Sequence, residues 1–291
     1  MKPTEKLRKL LSGEHLAMVT NAYDPFTARL AERAGFEMIG VGGYQLGGSL
    51  CVSEPLLGLN ELVDSARGIA RSINLPVTVD CGAGFGEPLH VMRTVREIEA
   101  SGASAITIED QIFPKRVHYH RDYRERTISA EEMVDKVKAM VQARDNPDFI
   151  IMARTDAMRT EGYDEGIRRA NLFLEAGADV VKVFPNTLDE AKRAPGQTNG
   201  PLYYVNSLGN RVGRPVLSRD MATEFGYRFL SDAVGTMLNL SRAIDQYYRS
   251  WIKNGVSPLD PAEAIVLRKE IEDVVGLEEM YKIEEATTEL A

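Results

Sequence analysis

Short apolar runs rich in Val, Ile and Met alternate along most of the chain with longer segments in which apolar residues recur at helical spacing. Short apolar runs bounded by turn residues are typical of buried strands, and the longer segments predict amphipathic helices. The pattern predicts eight strands, at residues 15–20, 37–41, 76–80, 103–108, 149–154, 179–184, 202–205 and 227–230. A helix is predicted after each strand, at residues 26–34, 60–72, 89–101, 129–144, 163–176, 188–193, 218–225 and 233–253. A further helix is predicted at 3–11, and residues 42–59 are predicted to form a glycine-bearing loop with Asn60 as the N-cap that follows it.

Strands that alternate with helices predict a parallel sheet joined by right-handed crossovers. Eight such units within about 250 residues are what an α/β fold of the (β/α)8 TIM barrel type requires. A doubly wound sheet is the alternative, but no GxGxxG segment follows the first strand. We therefore predict a single barrel domain over residues 1–291, in which 258–291 form a helical C-terminal extension able to pack on a neighbouring subunit.

The segment after the fourth predicted strand concentrates positive charge. The strand ends in Glu109 and Asp110, and the polar stretch beyond it carries Lys115, His118, His120 and four arginines. Such a loop suits an anionic ligand, because it can close over the ligand and exclude water. Since His is the usual general acid near neutral pH, the two histidines are candidate proton donors. The other interpretation is a solvated loop whose charges keep the protein soluble.

Composition narrows the class of partner. The net charge of −8 and the pI near 5.2 argue against nucleic acid, whose binding depends on neutralising phosphates. Cys51 and Cys81 lie far from any CxxC spacing, so we expect neither a disulfide framework nor a zinc site, which suits a reducing cytosol. We find no signal peptide and no run of the roughly 20 apolar residues that a membrane helix needs. We therefore expect a cytoplasmic protein that binds neither nucleic acid nor a membrane.

The ends of the predicted strands carry the candidate chemistry, because the active site of such a barrel lies there. Asp80 and Glu109 arrive from two different strands and are candidate ligands of a hard divalent cation, or alternatively caps of the following helices. Arg154 ends an apolar strand and needs a carboxylate partner, either within the protein or on a ligand. The backbone amides of Gly42 and Gly43 can approach such an anion closely.

Lys182 interrupts the apolar run at 179–184. It can point into the barrel as a cation or a Schiff-base amine. We expect the outward orientation instead, with the apolar stem among the helices and the ammonium in solvent. Cys81 is expected to be a small buried residue.

Six segments of the sequence resemble one protein family. They are NAYDPFTARLAERAGF (21–36), LPVTVDCGAGFG (75–86), HVMRTVREIEASGASAITIEDQIFPKR (90–116), SAEEMVDKVKAMVQAR (129–144), NPDFIIMARTDA (146–157) and AGADVV (176–181). In these segments the chain resembles the isocitrate lyase and phosphoenolpyruvate mutase superfamily, especially its short, methylisocitrate-lyase-like branch. The resemblance implies a barrel whose eighth helix is swapped between subunits of a homodimer or homotetramer.

The same resemblance implies Mg²⁺ as cofactor and a small-molecule carboxylate as substrate. The implied reactions cleave or form the bond next to a 2-oxo acid through an enolate-like intermediate. By resemblance, residues of this chain take the following roles: substrate binding for Tyr23, Gly42, Gly43, Arg154 and Asn206, the metal shell for Asp80 and Glu109, and the gate for Lys115 and the loop after it.

Four positions depart from the family pattern. Val117 occupies the place of a gate Cys whose thiol protonates the departing enolate. Gly82 replaces the second Asp of a D-x-D metal motif. The acid of a PDLG motif is also absent, with Glu54 nearby as a candidate replacement, and the loop after the seventh strand lacks a Glu. Fewer carboxylates weaken Mg²⁺ binding, so we expect neither ordinary isocitrate nor methylisocitrate cleavage, and we expect His118 or His120 to transfer the proton.

Three functions remain open at this point. The first is a carbon–carbon lyase that acts on a small 2-hydroxy- or 2-oxo-carboxylate through a metal-stabilised enolate. The second is decarboxylation of oxaloacetate or hydrolysis of an oxaloacetate- or phosphonopyruvate-like substrate, since those branches of the family also lack the gate Cys. The third is a non-catalytic ligand-binding protein, against which the retained set of Asp80, Glu109, Lys115 and Arg154 argues.

Overall fold

The computed structural model describes residues 1–117, 126–210 and 212–288. The strands within these residues are β1 (Ala17–Asn21), β2 (Met38–Val41), β3 (Val77–Asp80), β4 (Ala105–Glu109), β5 (Ile150–Arg154), β6 (Val180–Lys182), β7 (Leu202–Asn206) and β8 (Phe229–Asp232). All pair in parallel and in chain order, and β8 closes on β1. The predicted (β/α)8 TIM barrel is confirmed.

Helices alternate with the strands along the chain and continue after the last strand. Within the described residues they are α1 (Pro3–Ser12), α2 (Pro25–Arg33), α3 (Gly43–Leu50), α4 (Leu59–Ser72), α5 (Pro88–Ala100), α6 (Ala130–Ala143), α7 (Ala157–Thr160), α8 (Tyr163–Glu175), α9 (Leu188–Gln197), α10 (Arg219–Phe225), α11 (Gly235–Asn254), α12 (Pro261–Val275) and α13 (Leu277–Thr287). Side chains at the helix N-termini accept hydrogen bonds from backbone N–H groups that have no partner within the helix. The Asp24 carboxylate accepts from the Thr27 amide at 2.7 Å, and the Ser129 hydroxyl accepts from the Glu132 amide.

Side chains on each strand alternate between the barrel interior and the layer beneath the helices. The inner cluster contains Leu7, Ala17, Val19, Met38, Ala105, Ile150, Met152, Val180, Tyr203 and Phe229. The outer cluster takes the residues between them, such as Ile106, Ile151 and Val181, and joins them to the helices. Because Leu7 belongs to α1 and is fully buried in the inner cluster, α1 covers the amino-terminal end of the barrel.

Helix α3 corrects the prediction of a loop over residues 42–59. Glycine disfavours a helix in isolation, which is why the glycine-rich stretch was predicted to be a loop. Tertiary packing overrides this preference, because a Cβ at Gly47 would lie 2.5 Å from the carbonyl oxygen of Val52. Glycine is therefore required where the helix and the following chain approach each other.

Helix α4 corrects a second detail. Its N-cap is Gly58, one residue before Leu59, and not Asn60 as predicted. The Glu61 carboxylate accepts a hydrogen bond from the backbone N–H of Gly58 at 3.1 Å. A carboxylate in the first turn also interacts favourably with the helix dipole.

Two compact units make up the chain, Met1–Thr236 and Met237–Ala291. The first unit contains the barrel. The second contains α12, α13 and most of α11, and it exposes many large apolar side chains, including Tyr248, Trp251, Ile252, Ile265 and Ile283. The assignment of residues 1–291 to one domain stays a prediction.

Two observations concern the expected cellular environment. Both cysteines are free thiols, Cys51 exposed and Cys81 buried among apolar side chains as predicted. Burial raises the pKa of the Cys81 thiol well above its ordinary value. None of the described helices combines the length and apolar character needed to cross a bilayer.

Candidate active site

A row of polar side chains lies around the barrel interior at the carboxyl ends of the strands. Strand pairing places Glu109, Arg154, Lys182 and Tyr203 in register on β4, β5, β6 and β7. Each is in phase with the inner cluster of its own strand, so each points inward. Asp80 joins the row from the end of β3.

Glu109 is the buried centre of this group. Its side chain has no exposed surface, and its two oxygens lie 3.1 Å from the Lys115 ammonium and 3.0 Å from the Arg154 guanidinium. Neither ion pair has the alignment of a hydrogen bond. Burial raises the pKa of Glu109 to about 7, although both cations oppose the rise.

Arg154 connects the carboxylates of the site. Its guanidinium donates to Asp156 at 3.0 Å and to Asp80 at 3.5 Å, in addition to the contact with Glu109. Burial opposes ionisation of Asp80, but the cations Arg154, Lys182 and Lys115 prevail and hold its pKa below the ordinary value. The Phe184 ring lies 4.4 Å from the guanidinium carbon and limits its movement. Of the two alternatives that the sequence left open for Arg154, the structure shows carboxylate partners within the protein.

Glu54 reaches the site from the 3₁₀ turn Glu54–Leu56. Its carboxylate lies 2.6 Å from the Lys115 ammonium, which thus contacts both Glu54 and Glu109. Gly43 allows this approach, because a Cβ there would lie 2.6 Å from Cγ of Glu54. Glu54, the candidate replacement for the missing acid of the PDLG motif, therefore lies at the site.

An open cavity lies beside these groups. It is lined by Gly43, Glu54, Pro55, Leu57, Leu62, Asp80, Cys81, Gly82, Ala83, Phe85, Phe113 and Lys115. One wall is charged and the other is apolar, with the rings of Phe85 and Phe113 edge to face at 6.4 Å. Phe85 has a φ of 62°, an unusual backbone conformation for a bulky residue and one that is often found at functional sites.

Lys182 corrects the expected outward orientation. It is 6% exposed, and its ammonium lies 4.4 Å from the centre of the Tyr203 ring inside the barrel. Burial lowers the pKa of Lys182 to about 8, with Asp80 opposing the change and Arg154 supporting it. A strand that is apolar on both faces does not reveal which face is inside, and for this reason the sequence prediction was wrong.

The other predicted site residues lie as follows. Gly42 is the N-cap of α3, at the mouth of the barrel. Tyr23 is half-buried against the outer cluster, and burial raises its pKa. The side-chain amide of Asn206 donates to and accepts from the backbone of Leu217, at 2.9 Å in each case, and so secures the loop after β7. His118 and His120 lie outside the described residues.

A second buried group of charges lies next to the first. The Asp110 carboxylate accepts hydrogen bonds from the Thr155 hydroxyl at 2.7 Å, from the Asp156 amide at 2.9 Å and from Arg169 at 3.1 Å. Arg169 also donates to the Ile128 carbonyl at 2.7 Å. Burial and the Asp156 charge raise the pKa of Asp110 to about 6. This group joins β4, β5 and α8 and faces the helices rather than the cavity.

The residues present fit a Mg²⁺ ion that a substrate helps to hold. Among the described residues no three His, Cys, Asp or Glu side chains form a metal cluster. Mg²⁺, however, is commonly held by one or two carboxylates together with water and ligand oxygens. Asp80 is 26% exposed on the cavity side, and the Glu109 oxygens behind it accept no hydrogen bond. A Cβ at Gly82 would lie 3.8 Å from a Glu109 oxygen, so an acidic side chain at this position would place a third carboxylate beside Asp80 and Glu109.

The sequence and the fold of this chain are similar to those of known enzymes. Residues 7–246 match the sequence profile of a family described as phosphoenolpyruvate phosphomutase. The chain belongs to this family. It is 35% identical over 288 residues to the 2,3-dimethylmalate lyase of Eubacterium barkeri, with 98% of each chain covered. It is 34% identical to the 2-methylisocitrate lyase of Aeropyrum pernix, over 97% of this chain and 90% of the relative.

Solved structures of phosphoenolpyruvate phosphomutase relatives have the same architecture. An oxaloacetate acetylhydrolase in complex with 3,3-difluorooxalacetate matches over all of both chains with a TM-score of 0.89 and 25% identity. A phosphonopyruvate hydrolase complex with oxalate and Mg²⁺ matches over 99% of both chains with a TM-score of 0.85 and 27% identity. Each of these two structures therefore holds a small carboxylate.

Proposed function

We propose that this protein cleaves a carbon–carbon bond next to the carboxylate of a small 2-hydroxy- or 2-oxo-dicarboxylic acid. The observation that carries the proposal is the convergence of Lys115 and Arg154 on Glu109 beside an open cavity. Two cations from different segments, held next to an open cavity, can serve as an anion site. The lyases among the relatives support this class of reaction.

The roles of the residues follow from their positions. The planar guanidinium of Arg154 pairs with the substrate carboxylate, and the amides of Gly42 and Gly43 lie near the same mouth. Cleavage of a 2-oxo acid leaves an electron pair on the carbon next to the 2-oxo group. Cleavage of a 2-hydroxy acid also releases the hydroxyl proton and leaves the electron pair on the carbon next to the second carboxylate. Lys115 and Arg154 stabilise the negative charge as it develops. Mg²⁺, held by Asp80 and backed by Glu109, would supply further positive charge at the C2 oxygen.

We further propose that ordinary isocitrate and methylisocitrate are not the substrates. The position of the gate thiol is held by Val117, whose side chain has no ionisable proton. His118 or His120 is the proposed proton donor instead.

Decarboxylation or hydrolysis of an oxaloacetate-like acid is the second candidate. It is supported by the match over all of both chains to the oxaloacetate acetylhydrolase and by the 31% identity to the phosphonopyruvate hydrolase of Variovorax over 295 residues. Both reactions break a bond next to the same 2-oxo acid group, so the anion site described above serves either.

Product analysis separates the two candidates. The purified full chain is incubated with 2,3-dimethylmalate, 2-methylisocitrate, oxaloacetate and phosphonopyruvate, with Mg²⁺ or with a chelator, and all products are identified by NMR. A lyase forms two organic products from a hydroxy acid, and a decarboxylase forms pyruvate and CO₂ from oxaloacetate. A hydrolase forms oxalate and acetate from oxaloacetate, or pyruvate and phosphate from phosphonopyruvate. Binding of oxalate with no turnover of any of the four acids would overturn both candidates and favour the non-catalytic alternative.

A variant at Gly82 tests the metal site. Gly82 has a φ of 52°, a conformation that Asp and Asn tolerate better than other side chains. We expect Gly82→Asp to tighten Mg²⁺ binding about 10-fold in calorimetry, because the new carboxylate lies next to Glu109. Gly82→Asn has the same shape without the charge and is the matched control. Equal affinities of both variants would show that Asp80 and Glu109 do not form a metal site.

We also propose a homodimer or homotetramer in a reducing cytosol. The exposed apolar side chains of α11 to α13 are the kind of surface that subunit exchange covers. The two free thiols are consistent with a reducing compartment. Light scattering of the full chain, compared with a Trp251→Glu variant, measures the oligomer directly.

A further inference from the structure

Lys182 has an amine that the proposed function does not use. It is buried in the barrel with the Tyr203 ring 4.4 Å from its ammonium. Within the described part of the chain, no acceptor forms a hydrogen bond or an ion pair with this ammonium. The two other buried lysines differ, because Lys115 pairs with Glu54 and Glu109, and Lys136 donates to the Ala83 carbonyl at 3.0 Å. An ammonium this deep in the barrel that pairs with no described acceptor is unusual, so it needs an explanation.

The position of Lys182 connects it to the proposed substrate. It is in register with Arg154 on the neighbouring strand, and adjacent strands lie about 4.8 Å apart. A 2-oxo acid whose carboxylate pairs with Arg154 has its C2 carbonyl one bond away from that carboxylate. Two inward side chains are in register with Arg154, Glu109 on one side and Lys182 on the other, and of these only Lys182 is an amine that can react with the carbonyl carbon.

We propose that Lys182 is a nucleophile that condenses with the C2 carbonyl of a 2-oxo acid and forms an iminium ion. The proposal rests on the 2-oxo acids of the substrate class proposed above, and in it the lysine nitrogen takes the place of the C2 oxygen at which Mg²⁺ would act. The amine nitrogen attacks C2, and the carbonyl oxygen leaves as water with one amine proton and one proton from solvent. No oxidant or reductant is required.

The iminium ion then serves as the electron sink for bond cleavage. In oxaloacetate the electron pair of the C3–C4 bond moves toward C2 and the nitrogen, CO₂ leaves, and an enamine forms. Protonation at C3 restores the iminium ion, and water releases pyruvate and the free amine. The Tyr203 ring stabilises a positive nitrogen by a cation–π interaction. The lowered pKa of Lys182 supports the same role, because the unprotonated amine is the nucleophile.

Reductive trapping tests the covalent step. The wild-type chain is incubated with pyruvate, reduced with sodium borohydride, digested and sequenced by mass spectrometry. We expect a reduced pyruvate adduct on Lys182 at least about 10-fold more abundant than on any other lysine. Lys136, buried and hydrogen-bonded, and Lys138, exposed on the same helix, are internal controls in the same digest. Absence of an adduct, or an adduct confined to another lysine, would overturn the proposal.

Isotope exchange gives a second measurement that does not depend on a variant. Iminium formation and hydrolysis exchange the C2 oxygen of ¹⁸O-labelled pyruvate with water. We expect the wild-type chain to accelerate this exchange and Lys182→Arg, which keeps the charge but not the nucleophile, to lose at least about 100-fold of the effect. Circular dichroism confirms that Lys182→Arg is folded, and Lys182→Met is used if it is not.

The outcomes separate this proposal from the proposed function. Turnover of a dicarboxylic acid without trapping or exchange leaves the lyase intact and shows that Lys182 is an electrostatic group. Trapping and exchange at Lys182 without turnover of any dicarboxylic acid supports the nucleophile and overturns the proposed reaction.

Discussion

Glu109 and Asp110 are neighbours in the chain, yet they belong to two different charged groups. Glu109 points into the barrel beside the cavity, where its oxygens contact Lys115 and Arg154 without hydrogen-bond alignment. Asp110 points to the helices and accepts three hydrogen bonds, from Thr155, Asp156 and Arg169. Both carboxyl groups are fully buried. The difference between them is in how completely their polar atoms are paired.

This difference separates a structural group of charges from one that can bind a ligand. Fully hydrogen-bonded buried groups rigidify a fold, because any movement leaves a polar atom unpaired. Ion pairs without aligned hydrogen bonds can rearrange around an incoming anion at lower cost. The strand alternation alone sends adjacent residues to these two environments. The predictions below challenge or refine this division.

The largest effect is expected at Arg154. We expect Arg154→Ala to lower kcat/KM by at least about 10³-fold, equivalent to about 4 kcal/mol, because the substrate carboxylate loses its bidentate partner. Steady-state kinetics on the acid that the wild type turns over provides the measurement. Arg144→Lys is the control. Arg144 precedes β5, pairs with Asp179 and does not line the cavity. An unchanged rate for Arg154→Ala would place the anion site elsewhere.

Removing Arg169 should affect folding rather than binding. Arg169→Ala leaves Asp110 buried without its cation, and we expect the free energy of unfolding to fall by about 3 kcal/mol. Urea denaturation measures the change. Arg168 is the matched control, because it is the next residue, is half exposed and pairs only on the surface with Glu165 among the described residues. Arg168→Ala should cost less than about 1 kcal/mol, and equal losses would contradict a structural role for the Asp110 group.

The proposed proton donors are His118 and His120 in the loop after β4. We expect either His118→Ala or His120→Ala to lower turnover at least about 10²-fold, with the other substitution nearly neutral. Substituting Gln for the sensitive His distinguishes proton transfer from packing, since Gln retains hydrogen bonding without titrating. If neither variant changes turnover, neither histidine is the acid.

The smallest effect is expected in the pH dependence of stability, which should differ between Glu109 and Asp110. Between about pH 4.5 and 7 the folded protein keeps the proton of Glu109 while the unfolded chain has lost it. The stability contributed by this raised pKa is therefore present at low pH and lost as the pH rises toward 7. We expect the stability of the wild type to fall across this window relative to that of Glu109→Gln.

Asp110→Asn provides the comparison for that experiment. The pKa of Asp110 is raised to about 6. The fall in protein stability caused by Asp110 should therefore end at a lower pH than the fall caused by Glu109. Urea denaturation at intervals from pH 4.5 to 8 resolves the two windows. Identical pH profiles for the wild type and Glu109→Gln would mean that Glu109 is ionised throughout and that its environment is more polar than its burial indicates.

Much of the barrel could be predicted from the sequence. Alternating apolar strands and amphipathic helices are local patterns, and eight repeats of them leave few other parallel folds. Asp80, Glu109 and Arg154 were also predictable, because polar residues that directly end apolar strands of a parallel barrel share one mouth. The cationic character of the loop after β4 was equally a local feature.

The tertiary structure decided the details of the site. Lys182 faces inward because the register of β6 with β5 fixes its phase, and a strand apolar on both faces does not show that phase. Helix α3 forms because Gly47 and Gly43 allow close approach of the Val52 carbonyl and Glu54, which no local propensity reports. Whether a buried carboxyl group is paired or open to a ligand likewise depends on residues distant in the chain, as Glu109 and Asp110 show.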